Sequence, residues 1–548
     1  MNKKNILIAS LALLFIILSI SNIYLVFEII NRTPEPLEPS TFRNLVSSAP
    51  DSLDPLNASS YNSRDVIHQV CEGLFAYDLR EIDLPRINHL ANEFFWLNHT
   101  SLAIKVREGI YFHDNYPFNA TAVKWTLDRI NYFINATGML PSSTPRAELT
   151  SIFYLPDGIT PIINCTKIID EFNVTIHLNA PYSPILNLLC HQSCYILSPR
   201  STPATHYIEI NGDLVGTGPY KFDKYIQFEE VQFSRWDGYW RNLAHFEKLI
   251  YIIDHAQPPD NVIDWYSFYH WSYGNPNTTI VKDFTEDTGI PRMKYYYLGF
   301  NNEIYNVSWR KAMSYAINYS DISNLIYDLA IRSNSPISPG FKEAYNSSAK
   351  AANYNLTKAR LVMESMGFGV GFVNDSQWQT VAEGPTPFLT VNYTFNIANS
   401  YREEIFELIE ENFKFIGIKV VENGVAWNEY RSYIYETPEF LSLYAHNYYP
   451  EVYDPFYVFR DLFNPNSNEN IAQVDDSWLN SKLNLITHTS NDTIRNNLYK
   501  EIQGYITEVG YYHAPLYHSK LYFWHASNIY NPIYNVLDLF EVYYMYRS

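Results

Sequence analysis

The stretch that most restricts the fold is Gly216-Thr217-Gly218-Pro219-Tyr220, followed from Lys221 to Trp240 by KFDKYIQFEEVQFSRWDGYW. Its two glycines can supply backbone angles with φ > 0, and Pro219 holds its own φ near about −65°. Val231 and Phe233 then alternate with Gln232 and Ser234, the period of a half-buried strand. Trp236, Tyr239 and Trp240 add large, rigid side chains. Local rules predict a turn, a strand or hairpin, and an aromatic plug.

The chain has 548 residues, enough for several domains. It is 47% hydrophobic and 18% charged, so most of it should be globular. A formal charge of −19 argues against a nucleic-acid footprint and suits a soluble outer surface. Its 47 Tyr, 32 Phe and 11 Trp must be mostly core, with a minority free to line a wet aromatic cleft.

Lys3 and Lys4 precede an apolar run from Ile6 to Phe27. Roughly 22 residues at 1.5 Å each reach about 33 Å, enough to cross a bilayer core. Residues 1–30 are therefore expected to be a single-pass signal anchor that starts in the cytoplasm, with a cleaved signal as the alternative. The proline-rich segment 31–40 reads as an extended tether. About fifteen Asn-x-Ser/Thr sequons, including Asn57, Asn98, Asn173, Asn277, Asn355 and Asn491, agree with an external, glycosylated protein. Asn119 has a competing role, since it stands where a helix N-cap is expected. Cys71, Cys165, Cys190 and Cys194 can pair outside the membrane or remain buried thiols. Two thiols one helical turn apart, at Cys190 and Cys194, do not make a metal site, and neither metal nor cofactor is expected.

Secondary structure can be placed from pattern. Strands are predicted over 41–48, 102–109, 172–178, 248–253, 294–300, 418–421 and 440–445, with a closing strand beginning at 514–517. Helices are predicted over 65–74, 401–416, 475–485 and 491–508. In the second, Ile405, Leu408, Ile409, Phe413 and Ile416 form one face, and Glu403, Glu404, Glu407, Glu410 and Glu411 a solvated one. Gly367 is placed to cap a helix that ends near Phe368. Asn115 can take the left-handed conformation in its turn. The aromatic stretch 264–274 is either a core plug or a cleft wall.

Several stretches, in order, resemble one family. They are Ser52-Leu53-Asp54-Pro55, VCEGLFAYD from Val70, YFHDNYPFNATAVKWTLDRI from Tyr111, Gly216 to Trp240, Trp309 to Asn318, YNLTKARLVMESMGF from Tyr354, and Ala514-Pro515-Leu516-Tyr517. The chain resembles the peptide-type (family 5, cluster C) solute-binding proteins of ABC importers, over about residues 41–548. The resemblance implies an α/β, type II periplasmic-binding-protein-like clamshell of two lobes. Lobe one would take 41–74, 179–292 and 515–548, with an extra subdomain inserted at 75–178, and lobe two 293–514. A hinge would lie at Tyr295, Tyr297, Pro515 and Tyr517. A ligand would bind between the lobes, closure would bury it, and the closed form would dock on an ABC permease served by its ATPase. A monomer is expected.

The segment from Ser442 to Pro455 resembles the family's specificity pattern "gW.aDy.DP", with an insertion before Asp454-Pro455. Peptide-binding members pair its first Asp with the ligand's ammonium, and here that position is Asn447. Asparagine brings no charge. Either Glu451 or Asp454 substitutes, or the ligand is not a free-amine peptide. Tyr444, His446, Asn447 and Tyr448, with Trp427 and Asp454, are the expected binding residues, for a peptide or for an oligosaccharide or other solute. A surface receptor of the same fold that transports nothing is also compatible. Catalysis is not expected: HExxH, GxSxG and P-loop motifs are absent, and neither His113-Asp114 nor Asp283 to Asp287 brings a nucleophile.

Overall fold

The computed structural model describes residues 40–81, 83–142, 146–147, 149–253, 264–267, 290–325, 330–521, 523–526, 528–533, 535–537 and 539–547. The apolar run 6–27, most of the tether, Asn277, residues 268–274 and the acidic run 283–287 lie outside them.

Two six-stranded sheets organise the molecule. In the first, Thr41–Val46 lies between Lys248–Ile253 and Trp265–Ser267, parallel to both. Glu230–Arg235 and Tyr220–Ile226 extend one side, and Phe523–His525 closes the other. The second runs in the order Ala330–Arg332, His513–Leu521, Ile290–Phe300, Leu443–Tyr448, Leu389–Asn396, Ile418–Val425. The chain passes between the sheets twice, once between Ser267 and Ile290 and again between Leu521 and Phe523. A separate antiparallel sheet holds Ala91–Asn98, Ser101–Val106, Asn173–Leu178 and Ile163–Ile168. This is the two-lobe α/β clamshell that the motifs imply.

The glycine turn does its work by close approach. A Cβ at Gly216 would lie 2.1 Å from the Val70 carbonyl oxygen, and one at Gly218 2.7 Å from the same atom. Neither glycine has a positive φ, so the expected left-handed role is corrected. The turn is clasped on both sides. Gly218 N–H donates to the Val70 carbonyl at 2.9 Å. From the other side His113 N–H donates to Gly216 O at 3.0 Å, and His113 Nε2 meets Gly218 O at 2.8 Å. Burial keeps this imidazole neutral, at about 4, and Asp114 accepts from Ser198 and Ser201. The pair is a loop brace, as its place in the motif implies.

Beneath the turn lies Glu72, 6% exposed. Its carboxylate accepts from Thr217 Oγ1 at 2.7 Å, Tyr239 Oη at 2.8 Å and Trp240 Nε1 at 2.9 Å, and His89 Nε2 lies at 2.8 Å. Burial alone would raise its pKa, but His89 and these donors hold it below the usual value. Reaching this point ends the preceding helix early. It spans Tyr61–Val70 rather than 65–74, because Ser60 caps its start and Glu72 leaves it to bridge Ile196.

Other local expectations hold. Asn119 caps Ala120–Phe133, Asn115 has φ 61°, and Gly367 has φ 91°. Asp54 of the Ser-Leu-Asp-Pro motif pairs with buried Arg129 and accepts from Ile208 N–H at 2.9 Å. Asn355 and Asn491 cap helices with their side chains. All four cysteines are free thiols, three of them buried.

Replacing Glu72 with Ala would strand four polar groups in the interior. The expected loss is about 3–5 kcal/mol in urea unfolding. A loss near zero would show that the carboxylate is incidental.

Candidate functional site

The second sheet carries the expected binding and hinge residues, and it sorts them. Tyr295 and Tyr297, on Ile290–Phe300, are fully buried, with ring centroids 5.2 Å apart. Tyr297 also stacks on His513 at 4.0 Å. Tyr296 pairs with Tyr517 and Tyr297 with Pro515, across a register shift in the ladder. The four expected hinge residues thus lie within the two strands that lead toward the crossings. Tyr444 lies flat over Gly299, where a Cβ would sit 2.2 Å from the ring. It is 0% exposed, and Tyr448 is buried with its hydroxyl on Asp461 at 2.6 Å.

Asp454 is taken up locally. It caps Pro455–Phe463, accepts from Tyr499 Oη at 2.6 Å and receives Asn187 Nδ2 at 2.8 Å. Trp427 is 51% exposed at the start of the helix Trp427–Tyr435. His446 and Asn447, by contrast, line a cavity of about 340 Å³.

That cavity opens at the N-terminus of the helix Ser400–Lys414. Lys294 and Arg402 line it, and no carboxylate among the described residues does. Arg402 is 6% exposed, donates to Asn396 Oδ1 and lies 4.6 Å over the Tyr430 ring. Tyr296 and Tyr517 stack at 4.4 Å, and Tyr401 stands edge-on to both. Burial first, then Arg402 and Lys294, push His446 well below its ordinary pKa and keep it neutral. Two cations thus stand at the positive end of a helix, in a chain of charge −19. Sequence reasoning missed both. Arg402 is the lone cation opening an acidic helix, and its value came only from tertiary placement.

Arg64, on Tyr61–Val70, pairs with Glu451 and lies over the Tyr61 and Tyr449 rings. Burial raises the Glu451 pKa against the pull of Arg64. Tyr449 Oη donates to Leu537 O at 2.9 Å. Beside them a second cavity, of about 270 Å³, has Tyr77, Asp83, Arg86 and Asn187 on one wall and Lys342, Asp454, Asp492 and Arg495 on the other. Neither carboxylate suggested as a stand-in for Asn447 is idle: Glu451 has Arg64, and Asp454 is a cap. Among the described residues, no group of three His, Cys, Asp or Glu is placed to hold a metal ion, and no helix is long and apolar enough to cross a membrane.

Residues 88–470 match the family described as bacterial extracellular solute-binding proteins, family 5 Middle. The chain belongs to this family. The glutathione-binding protein GsiB of Pectobacterium atrosepticum is 32% identical over 198 residues, which are 36% of this chain and 34% of that protein. GsiB of Escherichia coli is 27% identical over 331 residues, 59% of this chain and 60% of that protein. The chain therefore spans a third to three fifths of these curated relatives. The periplasmic binding protein DppA of Helicobacter pylori, solved with the peptide STSA, superposes with TM-score 0.69 at 17% identity, covering 92% of this chain and 98% of that one. At that identity the likeness is one of fold.

Arg64→Met would leave Glu451 without its cation. Losing the pair should cost about 3 kcal/mol, seen as a lower midpoint in urea unfolding, with Arg64→Lys intermediate. An unchanged midpoint in the Met variant would deny the pair that role.

Proposed function

We propose that this family 5 protein is the extracytoplasmic binding component of an ABC importer, and that it captures peptides between its lobes and delivers them to a permease and its ATPase. It supplies recognition and breaks no bond. The observation that carries the peptide reading is the cavity at Ser400, with Lys294 and Arg402 and no acid. A peptide brings a carboxylate to such a site, and a neutral oligosaccharide brings none. GsiB and DppA, whose names and contents concern glutathione and a peptide, support the same class.

In this reading lobe one is 41–74, 179–292 and 515–548, with 75–178 inserted, and lobe two is 293–514. The paired strands around Tyr295, Tyr297, Pro515 and Tyr517 flex as the hinge. His446 and Asn447 touch the ligand, while Tyr444 and Tyr448 shape the floor behind them. The apolar run Ile6 to Phe27 tethers the protein to the cell membrane, with exposed sequons such as Asn98 facing outward.

The test uses an equimolar tripeptide pool in equilibrium dialysis with mass-spectrometric readout. Amidating the C-termini should weaken binding at least about tenfold, or 1.4 kcal/mol. Lys294→Met should lower affinity for the free acids and narrow the gap to the amides. Retention of neutral oligosaccharides in place of peptides would overturn the assignment.

A further inference from the structure

The chain holds fifteen Asn-x-Ser/Thr sequons, where its 52 Asn and 70 Ser and Thr would give about six by chance. The fold sorts the thirteen that are described. Six, Asn491 among them, cap helices, so the two residues after each are wound into a first turn. Asn173 and Asn346 commit the amide nitrogen itself, to Asp170 and to the Lys500 carbonyl. Asn135 is held by the Leu140 N–H. At Asn57 the Ser59 hydroxyl donates to Asp51, and at Asn164 and Asn392 the third residues, Thr166 and Thr394, are buried.

Asn98 differs from all of these. It ends the strand Ala91–Asn98, and His99 and Thr100 form the hairpin tip before Ser101–Val106. Asn98 and His99 are exposed. Asn98 Oδ1 accepts from Thr100 N–H at 2.9 Å and from Thr100 Oγ1 at 3.1 Å, and its Nδ2 has no partner among the described residues. Among the described sequons, this is the one whose hydroxyl reaches its own asparagine.

The same strand supplies a second observation. Ala91–Asn98 is an outer strand of its four-stranded sheet, and Phe95 and Leu97 on it are 57% and 56% exposed. Phe95 pairs with Ala103, and a register shift between Trp96 and Asn98 lets Asn98 pair with Ser101, on the same face. An edge strand that shows apolar side chains to water is a template for pairing with another chain. A bulky, hydrated group at Asn98 would stand over both the face and the edge.

We propose that Asn98 carries an N-linked glycan, and that this glycan shields the edge strand Ala91–Asn98 with its exposed Phe95 and Leu97. This rests on the external placement proposed above. The donor is a glycan held on a lipid-linked phosphate. Asn98 Nδ2 forms the new bond to the sugar C1. The C1–O bond to phosphate breaks, its electron pair stays on the phosphate oxygen, and one amide proton leaves to a base of the transferase.

The test takes the full chain from the membranes of the cells that make it. Peptide mass spectrometry should find the fragment containing Asn98 heavier by a glycan in most molecules. Thr100→Ala should return it to the bare mass, and Thr100→Ser should keep the glycan. In sedimentation, Thr100→Ala should self-associate at least about tenfold more tightly than wild type, and adding Phe95→Lys and Leu97→Lys should abolish that gain. A membrane-impermeant biotin reagent on intact cells reports the placement separately. If the protein is labelled and Asn98 is bare, the glycan assignment fails and the import reading stands. If Asn98 is modified and Thr100→Ala gains no association, the shielding role fails. If the protein is not labelled, the external placement fails and the glycan assignment with it.

Discussion

The structure rests on one buried carboxylate. Glu72 gathers Thr217, Tyr239, Trp240 and His89 from three distant stretches. In a low-dielectric interior a carboxylate with several donors is strongly held, and one without them would be costly. Because Gly216 and Gly218 have no side chains, the turn can lie on the helix end at Val70, which brings Thr217 within reach. His113 closes the same turn from the other side. The first sheet, which carries Tyr220–Ile226 directly after this turn, is thereby locked to the helix Tyr61–Val70. Arg64, which pairs with Glu451, projects from that same helix.

Where Tyr61–Val70 and Asn187 meet the segment around Glu451 and Asp454, polar and aromatic contacts mix. Arg64 with Glu451 and Asn187 with Asp454 are polar contacts between surfaces, and a buried ion pair repays little beyond its desolvation. Glu72 anchors the first sheet to the helix Tyr61–Val70. The crossing strands, with their stacked tyrosines and shifted register, join that part to the half that moves in the proposed cycle.

Local structure was legible in the chain wherever a residue acts on its own neighbours. Asn119 as an N-cap, Asn115 in a left-handed turn, Gly367 after a helix and the acidic face of Ser400–Lys414 all follow from spacing and backbone preference. The binding residues were less legible. Tyr444, His446, Asn447 and Tyr448 are consecutive or nearly so, and strand alternation alone would group Tyr444, His446 and Tyr448 apart from Asn447. Tyr444 fell over Gly299, Tyr448 onto Asp461, and His446 and Asn447 at the cavity. The pattern located the strand but not which of its residues would face a solute.

By itself, the sequence determined the family, the order of the motifs, the class of fold and the caps and turns, because each depends on residues close together in the chain. Tertiary structure alone decided which charges have partners. Asp454 looked free and is a helix cap, and Glu451 looked free and is held by Arg64. Lys294 and Arg402 are ordinary surface residues by sequence, and the fold draws them to one cavity without a carboxylate. Electrostatic balance depends on distance through space, and no local pattern along the chain carries that information.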